Sequence, residues 1–185
     1  MNAADQVIAL FAGAGDGNYF GERVTQLEHA LQCAHLAAQS GASGETVLAA
    51  LLHDAGHLLD SDASERHPVL GVLRHEKLGA DWLRSLGFSE RVLELVGSHV
   101  DAKRYLTYAN PAYRERLSEA SQETLRLQGG PMTGGEAEAF RADPLFEDKL
   151  RIRSWDDQAK APGLEVPGLE SYRPLIEAHL ARPRP

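Results

Sequence analysis

Apolar residues recur every third or fourth position along most of this chain and nowhere alternate convincingly at every second one. That is the spacing of helices that each bury one stripe, so the expected fold is all-α, a helical bundle with no convincing strand. Glycine, proline and capping residues divide the pattern. "ERVTQLEHALQCAHLAAQSG" reads as a long helix closed by Gly41, and "SGETVLAALLHDAGHLLD" as a second that Gly56 loosens or ends just past His53 and Asp54. A third runs through "HPVLGVLRHEKLGADWLRSLG" to Gly87, and a fourth through "SERVLELVGSHVDAKRYLTYAN", from Ser89 until Pro111 stops it. "SEASQETLRLQ" is a shorter helix and "GGPMTGGE" a loop, in which Thr133 and Glu136 supply a capping box for the segment after it. After "DPLFEDKLRIRSWDD" come a Pro/Gly-punctuated connector, "APGLEVPGLE", and a last amphipathic helix, "SYRPLIEAHL".

At 185 residues and 43% hydrophobic content the chain suffices for one well-buried core, so residues 1–185 are expected to form a single domain with a frayed tail at 182–185. The net charge of −8 and the lack of any basic run argue against nucleic acid or an anionic membrane as partner. A small molecule or a protein is expected instead. No apolar stretch is long enough to span a membrane, and "MNAADQVIALF" lacks the basic start and cleavage site of a signal peptide, so a cytoplasmic location is expected. The one cysteine, Cys33, excludes an intramolecular disulfide and is assigned to packing.

Against this background the run "LLHDAGHLL" stands out, because it sets His53, Asp54 and His57 in an apolar segment where an unpaired charge costs several kcal/mol or more. Similar intrusions occur on other helices. His29 shares a face with Cys33, Leu36 and Ala37, and His75 lies in line with Leu78, Gly79, Trp82 and Leu86. On the fourth helix the inward stripe of Val92, Leu95 and Val96 continues through His99 and Lys103, about 6 Å apart along the axis. Phe146, Leu150, Arg153 and Asp156 trace another stripe. Taken singly, each has an ordinary explanation: a hydrogen-bonded core histidine, a snorkelling lysine, an Arg153–Asp156 pair, a capping aspartate. Four histidines and two aspartates aimed inward from separate helices are expensive as structure, whereas bundle cores commonly build metal sites from facing helices. Imidazole and carboxylate suit iron, manganese or zinc, and six ligands exceed the needs of one catalytic ion, so two ions are implied. Neighbouring His53 and Asp54 project about 100° apart, which lets one carboxylate bridge two metals while its neighbour binds one.

These residues resemble the signature of the HD-domain metalloproteins, a separate histidine, an adjacent His-Asp pair and a distal aspartate, here His29, His53, Asp54 and Asp156. Most of that superfamily hydrolyse phosphate esters. "QLEHALQCA", "VLAALLHDAGH", "HEKLGADWLRSLGFSERV", "HVDAKRYL", "LQGGPM" and "RSWDD" together resemble the mixed-valent diiron oxygenases of the superfamily that act on 2-amino-1-hydroxyethylphosphonate, and more distantly myo-inositol oxygenase. The resemblance implies an Fe(II)/Fe(III) pair, one iron held by His29, His53, Asp54 and Asp156, with Asp54 bridging to a second held by His75 and His99. It implies that Lys103, Ser121, Thr124 and Arg153 grip the phosphonate, and that Tyr19 and Glu22 cover the site, the tyrosine on the second iron until substrate arrives and the glutamate near the amino group. His57 matches a histidine that backs the metal ligands or touches substrate. The implied reaction uses O2 to break the carbon–phosphorus bond of the organophosphonate, giving glycine and phosphate. A sister activity takes the trimethylammonium analogue to glycine betaine, a cation that wants aromatic faces such as Phe20 beside Tyr19. A metal-dependent HD phosphohydrolase and a regulatory HD module that binds without turnover are the other classes in view; Tyr19, the extra histidines and Lys103 favour the oxygenase.

Overall fold

The computed structural model of the chain describes residues 1–19, 21–59, 66–67 and 71–182; Phe20 and the tail beyond Arg182 lie outside the described residues. The all-α expectation holds, and the helices start where side chains can take up the orphan N–H groups of a first turn. Asn2 and Asp5 box the start of α1 (Ala3–Ala14), Thr25 and Glu28 that of α2 (Gln26–Gln39), and Ser43 caps α3 (Gly44–Leu52). Because Thr25 is the cap, α2 begins later than the apolar pattern alone suggests, and Glu22 lies in a turn ahead of it rather than in a first helical turn.

Three further boundaries depart from expectation, each for a local reason. The third helix, α4, spans only His75–Leu86; ahead of it a two-residue antiparallel ladder pairs β1 (Arg66–His67) with β2 (Gly71–Val72), Arg66 opposite Val72 and His67 opposite Gly71. Pro68 disfavours the helical region for the residue before it, and Gly71 takes φ +75°, so neither His67 nor Gly71 continues the expected helix, whose residues 68–70 lie outside the described residues. The fourth helix is two, α5 (Glu90–Gly97) and α6 (His99–Ala109), broken at Ser98, where φ −112° and ψ 0° follow a Gly-Ser pair. Pro111 does not merely end a helix. Asn110 caps α7 (Pro111–Arg116), and the proline takes the first helical position, where its missing N–H costs nothing. Beyond lie α8 (Glu119–Leu127), α9 (Gly134–Arg141) with the expected Thr133–Glu136 capping box, α10 (Phe146–Gln158) and α11 (Arg173–Leu180).

The main core joins α1, α2, α3, α4, α5, α10 and α11 around Phe11, Leu48, Leu51, Leu83, Leu95, Ile152 and Ile176, and a smaller cluster of Tyr105, Met132, Ala137 and Phe140 ties α6 to α9. α10 packs against α2, α3 and α6, and α2 against α3, which brings the polar residues of these helices together. Gly56 explains how the segment after α3 gets there. Its Cα passes so close to α4 that a Cβ would sit 1.9 Å from the His75 carbonyl oxygen and 2.9 Å from the Gly79 nitrogen. The helix therefore gives way to a 3-10 turn, Ala55–His57, pressed against the start of α4, which sets Asp54 beside His75.

Candidate metal centre and its cavity

Four imidazoles meet at the convergence, and each uses Nδ1 the same way. His29 reaches the Ala159 carbonyl at 2.9 Å, His53 the Ala50 carbonyl at 2.9 Å, His75 the Val72 carbonyl at 3.2 Å and His99 the Val96 carbonyl at 2.8 Å. A carbonyl only accepts, so Nδ1 carries the proton in each ring and Nε2 turns a lone pair inward. The Nε2 atoms pair off, His29 with His53 at 3.2 Å and His75 with His99 at 2.9 Å. With both rings neutral, two lone pairs facing each other have no proton to share, so the site calls for a cation or, failing that, a proton on one ring.

Asp54 divides its oxygens between the pairs. Oδ2 lies 3.3 Å from His53 Nε2 and 3.7 Å from His29 Nε2, while Oδ1 lies 3.2 Å from His75 Nε2 and 3.4 Å from His99 Nε2. Asp156 joins the first pair only, with Oδ1 3.5 Å from His29 and Oδ2 4.0 Å from His53. Ligand atoms bound about 2.1 Å from one ion at right angles stand roughly 3 Å from one another. The spacings and the inward lone pairs thus suit two cations sharing one carboxylate, with imidazole and carboxylate donors. Cys33 Sγ, 3.7 Å from His29 Nε2, lies beside the first pair, and burial pushes its thiol up.

The charges show the same demand for a cation. Burial pulls His29 down to about 4, against the pull of Asp156. Burial also disfavours charge on His53, yet the adjacent Asp54 outweighs it and holds that ring at about 9. Burial would raise Asp54, and the surrounding histidines, His53 first, hold it well below the usual carboxylate range instead; Arg153 does the same for Asp156.

The cluster opens onto a cavity of about 480 Å³. Among its lining residues, one turn past His99 on α6, Lys103 donates to Thr124 Oγ1 at 2.8 Å, and Ser121 lies one turn before Thr124 on α8. Burial, reinforced by Arg153, lowers Lys103 to about 7. Arg153 is more committed than its stripe suggests. It donates to Asp156 Oδ2 at 2.7 Å, to Tyr113 Oη at 3.0 Å and to Asp157, so the simple Arg153–Asp156 pair and an inward guanidinium both exist. His57 accepts from the Val72 N–H at Nδ1 (3.2 Å) and stacks on His75 with ring centres 3.8 Å apart, which leaves Nε2 as the protonated nitrogen of a ring that burial keeps neutral. Tyr19 stacks on His29 (3.9 Å) and donates to Asp156 Oδ1 at 3.3 Å, a contact with the first donor set where the resemblance implies the second. Glu22 lines the cavity but accepts from Lys160 at 2.8 Å.

All the nominated residues except His29 and His53, which lie behind the others, thus line one cavity. Three partners escape a reading of the sequence. Asp157 is visible there only as a second acid in "RSWDD", Lys160 sits past the end of its helix, and Tyr113 rides on α7, a helix the apolar pattern does not suggest.

A helical fold with a histidine–aspartate cluster built around an adjacent His-Asp pair is the architecture of the HD domain, and the HD-domain family model matches residues 27–143. The chain belongs to this family. It is 44% identical over 179 residues to the hydroxymethylphosphonate dioxygenase of Gimesia maris and 36% identical over 183 residues to the [1-hydroxy-2-(trimethylamino)ethyl]phosphonate dioxygenase (glycine-betaine-forming) of Leisingera caerulea, in both cases across 95% of this chain and 89% of the relative. It is also 39% identical over 176 residues to the uncharacterized protein L432 of Acanthamoeba polyphaga mimivirus, across 95% of this chain and 80% of that protein. No helix among the described residues is long and apolar enough to cross a membrane.

Proposed function

We propose that this chain is a dinuclear iron oxygenase that uses O2 to cleave the carbon–phosphorus bond of a 1-hydroxyphosphonate. The observation that carries the proposal is the split of Asp54 between two histidine pairs in a cavity that Lys103, Thr124 and Ser121 also line. Two phosphonate-acting relatives at 44% and 36% identity support it. His29, His53, Asp54 and Asp156 would hold one iron and His75, His99 and Asp54 the other, the pair supplying the redox chemistry with O2. The chain's own task is position and charge. Lys103 and the hydroxyls of Thr124 and Ser121 compensate and orient the phosphonate dianion, Arg153 holds Asp156 while adding positive charge to the same cavity, and His57, stacked on His75, backs that ring. In balanced form, R–CH(OH)–PO3 dianion and O2 give the carboxylate R–COO⁻ and dihydrogen phosphate, with both oxygen atoms retained in products.

For the substituent R, we propose aminomethyl, so that the products are glycine and phosphate: Glu22 lines the cavity and a carboxylate accepts hydrogen bonds from a primary ammonium but not from a trimethylated one. A second reading, R as hydrogen, is favoured by the Lys160 ammonium that already compensates Glu22 and by the substrate for which the relative from Gimesia maris is named. The trimethylated substrate wants an aromatic cage, and Phe20, the candidate beside Tyr19, lies outside the described residues.

The test is metal analysis with spectroscopy of anaerobically purified protein, followed by oxygen-dependent phosphate release from the free-amine, trimethylated and unsubstituted 1-hydroxyphosphonates at equal concentration. A mixed-valent iron pair with O2-dependent release supports the oxygenase, and the preferred substrate decides R. Phosphate release from simple phosphate esters without O2 would make the chain a hydrolase.

A further inference from the structure

Lys160 lies beyond α10, yet the backbone on either side of it is fastened to α2. His29 Nδ1 donates to the Ala159 carbonyl, Gln32 Nε2 donates to the Ala161 carbonyl at 2.9 Å, and the Ala161 N–H donates to Gln32 Oε1 at 3.1 Å. Held between these anchors, the Lys160 ammonium donates to Glu22 Oε1 at 2.8 Å and stands 6.0 Å from the centre of the Tyr19 ring. Both charged side chains are mostly buried, 19% and 18% exposed, so water screens the pair less than it would a surface pair.

Glu22 and Tyr19 are tied by their own backbone. The Glu22 N–H donates to the Tyr19 carbonyl at 2.9 Å and the Tyr19 N–H to the Val24 carbonyl at 2.8 Å, so a force on one is felt by the other. The same turn sits on α8: at Gly21, φ +72°, a Cβ would stand 2.9 Å from that of Ala120, next to Ser121. Finally, Glu22 and Lys160 line both the metal cavity and a second cavity of about 600 Å³ bounded by α6, α7 and α10, where Tyr113, Arg116 and Asp157 also face. Their ion pair stands in the wall between the two.

We propose that Lys160 is a positioning residue that fixes Glu22, and through it Tyr19, over His29, keeping the metal cluster covered and the two cavities apart. The inference rests on the metal-centre reading of the cluster, but not on the substrate. It is tested on the iron-loaded full chain by the rate at which an iron(II) chelator strips the metal anaerobically, and by amide exchange at Tyr19 and Glu22, which needs no metal. Lys160→Met and Glu22→Gln should each speed release and exchange about fivefold, the size expected when a partly buried ion pair is lost. The double variant should go no faster than either single one, Lys160→Arg should restore the wild-type rate, and melting temperature should move little. Wild-type rates in both single variants, or strictly multiplicative effects in the double, would overturn the proposal. Should Lys160→Met not fold, Glu22→Gln and Lys160→Arg carry the same comparison. A chain that behaves as expected here yet frees no phosphate from any 1-hydroxyphosphonate would refute the oxygenase alone, and one that takes up no iron but shows the exchange effect would refute the metal reading and keep the Lys160–Glu22 coupling.

Discussion

Lys103 carries an ammonium that burial and the neighbouring Arg153 hold down to about 7, where half of it is neutral at neutral pH. A bound phosphonate dianion favours the charged form and so raises that value in the complex, which means the protein takes up a proton on binding. Affinity is then full below about 7 and falls as pH rises through 7. Lys103→Arg stays charged throughout and should lose this fall, so the ratio of the two proteins' dissociation constants, measured anaerobically by calorimetry from pH 6 to pH 9, isolates Lys103 from the titration of the ligand itself. In the ligand-free protein the sign for stability runs the other way. The unfolded chain holds the extra proton between about 7 and its own value of about 10.4, so the burial cost of Lys103 is relieved as pH rises across that window. The neighbouring pair of cations also separates by experiment. Lys103→Ala should weaken phosphonate binding by roughly 1.5–3 kcal/mol and spare metal content, whereas Arg153→Ala should lower both, because its 2.7 Å bond holds Asp156. Equal metal content in the two variants would contradict that role. His75→Ala or His99→Ala should leave one metal per chain with His29 and His53 intact; two tightly held metals in either variant would remove those histidines from the assignment. The convergence of these residues is legible in the sequence because each is a polar group on an otherwise apolar stripe. Asp156 and Asp157 stand three and four residues beyond Arg153 on the same helix, a spacing the sequence does show, but its third partner, Tyr113, reaches it from α7, which no local pattern encodes.

At the scale of elements, the sequence conveys which segments are helical better than where they begin. Periodicity cannot tell a continuous helix from two that share a direction, so the break at Ser98 is invisible to it, although it matters: α6 starts at His99 and lets that ring donate back to the Val96 carbonyl. Pro68 and Gly71 stand in plain view in the sequence, but the three-and-four spacing around them masks their meaning, and the short ladder before α4 passes for helix. Gly56, by contrast, marks a place where the helix yields in sequence and structure alike. The structure adds the reason, a backbone-to-backbone approach that only a missing side chain permits. Gly56→Ala should therefore push the 3-10 turn off α4 and separate Asp54 from His75. The cost expected for forcing atoms into packed space is about 1–3 kcal/mol or more, read as a lower melting temperature. The metal readout is the sharper one: the His75–His99 site should empty first. An alanine variant with wild-type melting and two metals would show that the contact is easily relieved.

For the whole molecule, the cluster is also a fastening. Its side chains come from α2, the end of α3 and the turn after it, the starts of α4 and α6, and α10, so a cation at the centre draws on most of the elements that enclose the main core. A ligand that binds only the folded chain stabilises it by about 2.7 kcal/mol at a hundred times its dissociation constant, so stripping the metal should lower the melting temperature. The pH dependence of that drop carries more information. Without metal, the buried carboxylates of Asp54 and Asp156 are compensated in part by a proton on His53, held at about 9 against about 6.5 in an unfolded chain. A raised value contributes stability that is fully present below about 6.5 and is lost as pH rises through about 9. With metal bound, the imidazole lone pair is engaged and that proton plays no part. The gap between loaded and stripped melting temperatures should therefore be small at pH 6, where protons also compete for the ligands, and widen toward pH 9 by at most about 3 kcal/mol. At roughly 2–4 °C per kcal/mol for a chain of this size, the widening is several degrees. Calorimetric melts of both forms across that range check it, with His53→Gln, which cannot hold the proton, as the variant whose stripped form should lose the dependence. A gap that stays constant or narrows as pH rises would mean that His53 does not stand in for the cation.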